Sequence, residues 1–182
     1  SSLIAGGLIL PKLSFKSKKN NRKKLKIAVV GCGGRGTGAA VQALRADNNV
    51  ELVTLADAFK DRLETSLNAI KDEFEGEMEI NIKEKNKFVG FDAYKKAIDK
   101  SDVVILASPP GFRPAHFEYA INKNKHVFME KPVATDAHGV RQVLNSARKA
   151  KEKNLNVVVG LQRRYQKSLS LIHISEPTRR LV

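Results

Sequence analysis

Three glycines and one carboxylate make the first chemical statement in this sequence. Gly31, Gly33 and Gly36 stand in the segment Gly31-Cys32-Gly33-Gly34-Arg35-Gly36, a G-x-G-x-x-G spacing. In a strand-to-helix turn the first glycine permits a tight bend. The second lets the backbone approach a diphosphate where a Cβ would intrude, and the third lets helix and strand pack closely. The N-terminus of the helix then turns unpaired N–H groups toward the anion. Gly34 belongs to the same loop. Asp57 closes the next apolar run, roughly 20 residues further on, where a carboxylate accepts hydrogen bonds from an adenosine ribose. That carboxylate would repel a 2′-phosphate, which favours NAD, while Lys60 and Arg62 nearby leave NADP open. Arg35 has two readings, lying along the phosphates or facing water. Cys32 reads as a small spacer rather than a reactive thiol.

The elements that must hold these groups alternate along the chain. Leu25 to Val30 is a short apolar strand ending at the glycine loop, and Gly36 to Asp47 carries Ala40, Val41 and Leu44 on one helical face. Val50 to Ala56 reads as a second strand, and Lys60 to Lys71 sets Leu63, Leu67 and Ile70 at helical spacing. Glu79 to Val89 alternates weakly and suggests a third strand. Asp92 is placed to cap a short helix carrying Tyr94, Ala97 and Ile98. Asp102 to Ala107 is a buried-type strand, stopped by Ser108-Pro109-Pro110-Gly111. Pro114 suits the first turn of a helix that buries Phe117, Ala120 and Ile121. His126 to Met129 is another strand, closed by Glu130-Lys131-Pro132. Thr135 or Asp136 caps the following helix, whose apolar face is Val140, Val143, Leu144, Ala147 and Ala150, and Asn156 to Gly160 is the last strand. Unbroken apolar strands alternating with helices predict an α/β, doubly wound parallel sheet, a Rossmann fold with helices on both faces. Ligands of such folds bind beyond the carboxyl ends of the strands.

The string Ala107-Ser108-Pro109-Pro110, then His116, then His126-Val127-Phe128-Met129-Glu130-Lys131-Pro132 resembles the Gfo/Idh/MocA oxidoreductases, and the likeness runs over about residues 25–165. The resemblance implies a two-domain, homo-oligomeric enzyme that moves hydride between NAD or NADP and a CH–OH carbon of a sugar or polyol. It implies that Lys131 is the catalytic residue, set beside the nicotinamide and the substrate hydroxyl, where it bonds the reacting oxygen and helps its proton leave. Burial or flanking positive charge lowers a lysine's pKa and suits it to that work near neutral pH. Glu130 would orient Lys131 or cap the next segment, and Pro132 would fix the turn. Ser108 and Pro109 would pass beside the cofactor, and Arg163, Arg164 and Tyr165 would touch cofactor or substrate. The cofactor-binding set is therefore Gly31, Gly33, Gly34, Arg35, Gly36, Asp57, Ser108, Pro109, Glu130 and Lys131. His116 and His126 read as structural, and no metal site is expected.

At 182 residues the chain suits one domain with a real core and is too short for a cofactor domain plus a full substrate domain. The expected division is a signal remnant and basic linker over 1–24, the dinucleotide-binding domain over 25–165, and a non-native-looking tail over 166–182. The family pattern stops after Lys167, and Leu171 to Arg179 looks like a translated sequencing adapter. With a start at Ser1, this suggests a fragment whose substrate domain is missing and which holds cofactor but turns over poorly. The net charge of +14 is uneven, since eight basic residues and no acid lie between Lys12 and Lys26. Such a block reads as a solvated arm, with membrane-surface or nucleic-acid attraction as alternatives. Nucleic acid is not the expected partner, because no recognition motif and little aromatic interleaving are present. The apolar run Leu3 to Leu10 is too short to span a bilayer, which takes about 20 residues. It resembles the end of a twin-arginine-type signal, so a periplasmic or envelope location is expected, with the cytoplasm as alternative. The competing function is a non-catalytic nucleotide-binding or redox-sensing module.

Overall fold

The computed structural model describes residues 23–162. The apolar opening, most of the basic arm, Arg163, Arg164, Tyr165 and the tail lie outside the described residues, and so do the expectations placed on them. The order of elements is β1 (Leu25–Val30), α1 (Gly34–Ala46), β2 (Val50–Asp57), α2 (Lys60–Glu73), β3 (Lys87–Val89), α3 (Ala93–Asp99), β4 (Val103–Leu106), α4 (Arg113–Asn122), β5 (His126–Glu130), α5 (Ala137–Glu152) and β6 (Val157–Gly160). The strands form one six-stranded sheet in the order β3-β2-β1-β4-β5-β6. Every neighbouring pair is parallel. The order reverses between β1 and β4, so the loops after these two strands diverge and leave a crevice at the carboxyl edge.

The two-residue period of the strands distributes their side chains between two cores. Ile27, Val29, Leu52, Leu55 and Ile105 face α1 and α2, where they meet Leu44, Leu63, Leu67, Ile70 and Phe74. Ala28, Val30, Val104, Leu106, Val127 and Met129 point the other way, onto α3, α4 and α5 through Ala97, Ile98, Phe117, Ile121 and Val143. Each fully buried Leu, Ile or Phe contributes on the order of 2 kcal/mol, so both layers are anchored by the apolar stripes read from the sequence.

The structure corrects several expectations. α1 starts at Gly34, inside the glycine loop, rather than at Gly36. The expected third strand shrinks to Lys87–Val89 behind a 3-10 turn at Glu84–Asn86. Its upstream apolar residues, Ile80 and Ile82, are buried against the α1–α2 core without joining the sheet. Asp92 occupies the N-cap of α3 but makes no capping bond; its carboxylate pairs with Lys95 at 2.7 Å. Asp136, not Thr135, caps α5 by accepting from the Gly139 N–H at 2.6 Å. Along α5, Val143 and Ala150 are buried, while Val140 and Leu144 of the same stripe are exposed. No helix among the described residues is long and apolar enough to cross a membrane.

Candidate functional site

Each glycine of the loop answers a different steric demand. Gly31 has φ +96, and a Cβ there would stand 2.4 Å from the Ser108 backbone nitrogen, so the turn out of β1 needs both the conformation and the missing side chain. A Cβ on Gly36 would stand 1.9 Å from the Gly31 carbonyl oxygen; its absence lets α1 press onto the loop. Gly33 is different. A Cβ built there meets no protein atom within 4 Å, and neither does one on Gly34. Nothing in the chain itself requires those two positions to be bare. Gly33 is the N-cap of α1 and contributes no side-chain cap, and no acidic residue stands in that helix's first turn. The N-terminal amides of α1 and its positive dipole end are thus left facing open space, the arrangement that receives an anion.

Asp57, at the end of β2, does more than the sequence suggested. One carboxylate oxygen accepts the Cys32 N–H at 2.6 Å and the other accepts the Phe59 N–H at 3.0 Å. The carboxylate therefore pins the glycine loop to the next strand-end turn, and each oxygen keeps lone-pair capacity for a hydroxyl. Cys32 lies beneath this link. Burial, with the Asp57 carboxylate beside it, pushes its thiol up to about 12, so it stays protonated and acts as the spacer expected of it.

A cleft of about 560 Å³ runs along the carboxyl edge, lined among others by Gly31, Gly33, Asp57, Arg62, Ser108 and Pro109. Three aromatic rings on the loops after β2, β3 and β4 stand at its rim: Phe59, Phe91 and Phe112, exposed by 62%, 72% and 49%. The Phe91 and Phe112 rings are 6.1 Å apart. Apolar walls, a carboxylate and a helix N-terminus in one groove match the parts of an adenosine diphosphate: base, ribose and phosphates. The residues present fit a dinucleotide.

The groups after β5 sit apart from this lining. The Glu130 carboxylate is buried and bonds the Arg35 guanidinium at 2.9 Å, while Arg35 keeps its other donors exposed. The alternative of an Arg35 facing only water is thereby replaced by a link between the phosphate loop and the end of β5. A Cβ on Gly160 would approach Glu130 Oε1 to 3.0 Å, so β6 also makes room for that carboxylate. Lys131 follows it, exposed, and does not line the cleft. The burial called for by an acid–base lysine is not present within the described residues.

Arg113 carries no clear signal in the sequence, whereas His116 is singled out there. Arg113, in the first turn of α4, is 3% exposed and donates to the Glu130 carbonyl at 2.6 Å and to the carbonyls of Ser108 and Pro132. His116 is buried, bonds Ser108 Oγ through Nδ1 at 3.0 Å, and stacks on Tyr94 with 4.0 Å between ring centroids. Burial, and then the Arg113 charge, lower its pKa to about 4, so it is a neutral ring at physiological pH. His126 accepts the Asn156 N–H at 3.0 Å and ties β5 to the start of β6. His116 lines the cleft, and His126 does not.

The strand order and the glycine cradle define a dinucleotide-binding Rossmann domain. Residues 25–160 match the model of the Gfo/Idh/MocA group, described as an oxidoreductase family with an NAD-binding Rossmann fold. The chain belongs to that family, and NAD is the cofactor of the domain it carries. An inositol 2-dehydrogenase of Cereibacter sphaeroides is 28% identical over 143 residues, spanning 79% of this chain and 38% of that protein. The crystal structure of myo-inositol 2-dehydrogenase from Lactobacillus plantarum superposes with a TM-score of 0.62 at 26% identity, covering 82% of this chain and 40% of that one. Scyllo-inositol dehydrogenase from Lactobacillus casei, solved with NAD(H) and scyllo-inositol, shares the fold with a TM-score of 0.63 at 23% identity, over 82% of this chain and 40% of its own. The chain thus spans about 40% of the length of the relatives it matches.

Proposed function

We propose that this chain is the cofactor-binding half of an NAD-dependent dehydrogenase acting on a CH–OH carbon of a sugar or polyol. The observation that carries the reading is the bare Gly33 at the mouth of α1: its Cβ position is free of protein, so a diphosphate can occupy it. Asp57, held by two backbone amides, would receive the ribose hydroxyls and disfavour a 2′-phosphate, so NAD is the preferred form. When bound, a nicotinamide supplies the acceptor or donor of hydride. The chain's own residues would do the rest. The α1 amides and Arg35 would hold the phosphates, and the Ser108-Pro109 turn would pass beside the cofactor. Lys131, next in sequence to the Glu130 that pairs with Arg35, would reach the reacting oxygen and hold or pass its proton. The inositol dehydrogenases among the relatives support a polyol as the substrate class.

The first test is a calorimetric titration of the chain with NAD and NADP. Saturable heat with NAD, and weaker heat with NADP, is the expected result; no heat with either refutes the reading. The catalytic part needs a protein of the relatives' full length carrying this domain. There Lys131→Ala is expected to lower kcat by roughly 10²–10⁴-fold while the NAD affinity stays within about twofold. An unchanged kcat removes Lys131 from the chemistry and favours the non-catalytic module.

A further inference from the structure

Among the described residues Arg113 is the most deeply buried positive charge, and it lines the cleft beside Ser108 and Pro109. Removing a guanidinium from water costs several kcal/mol unless its donors are matched. Here three of its five donors are matched by backbone carbonyls from two separate strand ends: Ser108, after β4, and Glu130 and Pro132, at the end of β5. Arg113 Nε has no partner among the described residues, so satisfaction comes from those bonds alone. Their acceptors are the backbone of the Ser108-Pro109 turn and of the turn that contains Lys131.

The topology says which part of a ligand those turns face. β1 and β4 flank the switch in strand order, and Asp57 marks the β2 side for one ribose. A dinucleotide whose diphosphate sits on Gly33 must send its other half across β4 and β5. The two turns bridged by Arg113 are the ends of those strands. Glu130 links the same corner to Arg35 at the phosphate loop, so a buried − charge stands between two + charges that tie α1, β5 and α4 together.

We propose that Arg113 is a positioning residue that holds the Lys131 turn against the Ser108-Pro109 turn, and so shapes the seat for the nicotinamide end of the cofactor more than the adenosine end. This rests on the reading of the cleft as an NAD site. It predicts a split between the two ends of one ligand, which general loss of stability would not produce.

The test uses the chain as it stands, titrated with NAD and with ADP-ribose, which lacks only the nicotinamide base. The parent is expected to bind NAD about tenfold more tightly than ADP-ribose. Arg113→Met, similar in length but without donors, is expected to hold the ADP-ribose affinity within about twofold and to bring NAD down to the same level. Arg113→Lys restores part of the gap, since one ammonium reaches some but not all of the carbonyls. Equal losses for both ligands, an unchanged gap in Arg113→Met, or no gap in the parent each overturn the proposal. If the parent binds neither ligand, the cofactor reading itself has failed, and the proposal with it. A second measurement needs no variant. On the parent, NAD and ADP-ribose should both slow amide hydrogen exchange in the Ser108–Phe112 segment, which lines the groove, and NAD alone should slow it in Lys131–Val133. Protection of Lys131–Val133 by both ligands, or by neither, counts against the role.

Discussion

At the scale of single residues, the four loop glycines separate into two kinds, and the distinction can be measured. Gly31 and Gly36 are required by the protein. An alanine at Gly36 would drive its Cβ onto the Gly31 carbonyl, and such overpacking costs about 1–3 kcal/mol. Gly33 is required only by a ligand. Gly33→Val should therefore leave the unfolding midpoint nearly unchanged, because its backbone is extended (φ −77, ψ 179) and its Cβ space is open, yet abolish NAD binding by calorimetry. A valine variant that binds as well as the parent would contradict the loop's role. His116 supplies a second prediction. Its pKa is lowered in the fold from 6.5 to about 4, so between those values the unfolded chain binds the extra proton and the folded one does not. Stability from this group is complete above pH 6.5 and is lost as the pH falls toward 4, by up to about 3 kcal/mol. His116→Asn should flatten that part of the pH profile in urea unfolding. Parallel profiles for parent and variant would show that the ring is not the titrating group.

At the scale of elements, the helices are positioned by stripes and caps that the sequence shows openly, while the sheet edges are not. The α2 stripe Leu63, Leu67 and Ile70 is buried as its spacing requires. The α5 stripe is only half used, because Val140 and Leu144 look outward while Val143 and Ala150 meet the core. Periodicity reports which residues share a face; it does not report whether a neighbour covers that face. The Glu79–Val89 segment misled for a related reason: alternation reads equally as a strand or as a loop that tucks Ile80 and Ile82 under the sheet. Asp136 is the clearest local device. Asp136→Ala removes the acceptor for the Gly139 N–H and should destabilise the domain by about 1 kcal/mol, seen as a lower urea midpoint. The same change at Asp92, which caps nothing, should move the midpoint much less.

At the scale of the whole molecule, a ligand that binds only the folded domain must stabilise it by mass action. NAD at about 100 times its dissociation constant should add roughly 2.7 kcal/mol, read as a rise in Tm that grows with concentration; a Tm indifferent to NAD would argue against a preformed site. Such a site is legible from sequence to the extent that its parts are local. Gly31, Gly33, Gly36 and Asp57 could be read because strand, glycine turn, helix and strand-end acid follow one another in order, and the peptide geometry that makes the turn is set by neighbouring residues. The alternation of apolar strands and striped helices likewise determined the α/β class, because burying both sheet faces leaves few other arrangements. What only the tertiary structure decided are the contacts across long loops: Asp57 gripping the Cys32 amide, Glu130 meeting Arg35, and Arg113 spanning three carbonyls. Each partner lies several to ninety-five positions from its mate. Backbone carbonyls leave no mark in the residue pattern, so the meeting of these groups depends on where the sheet carries them.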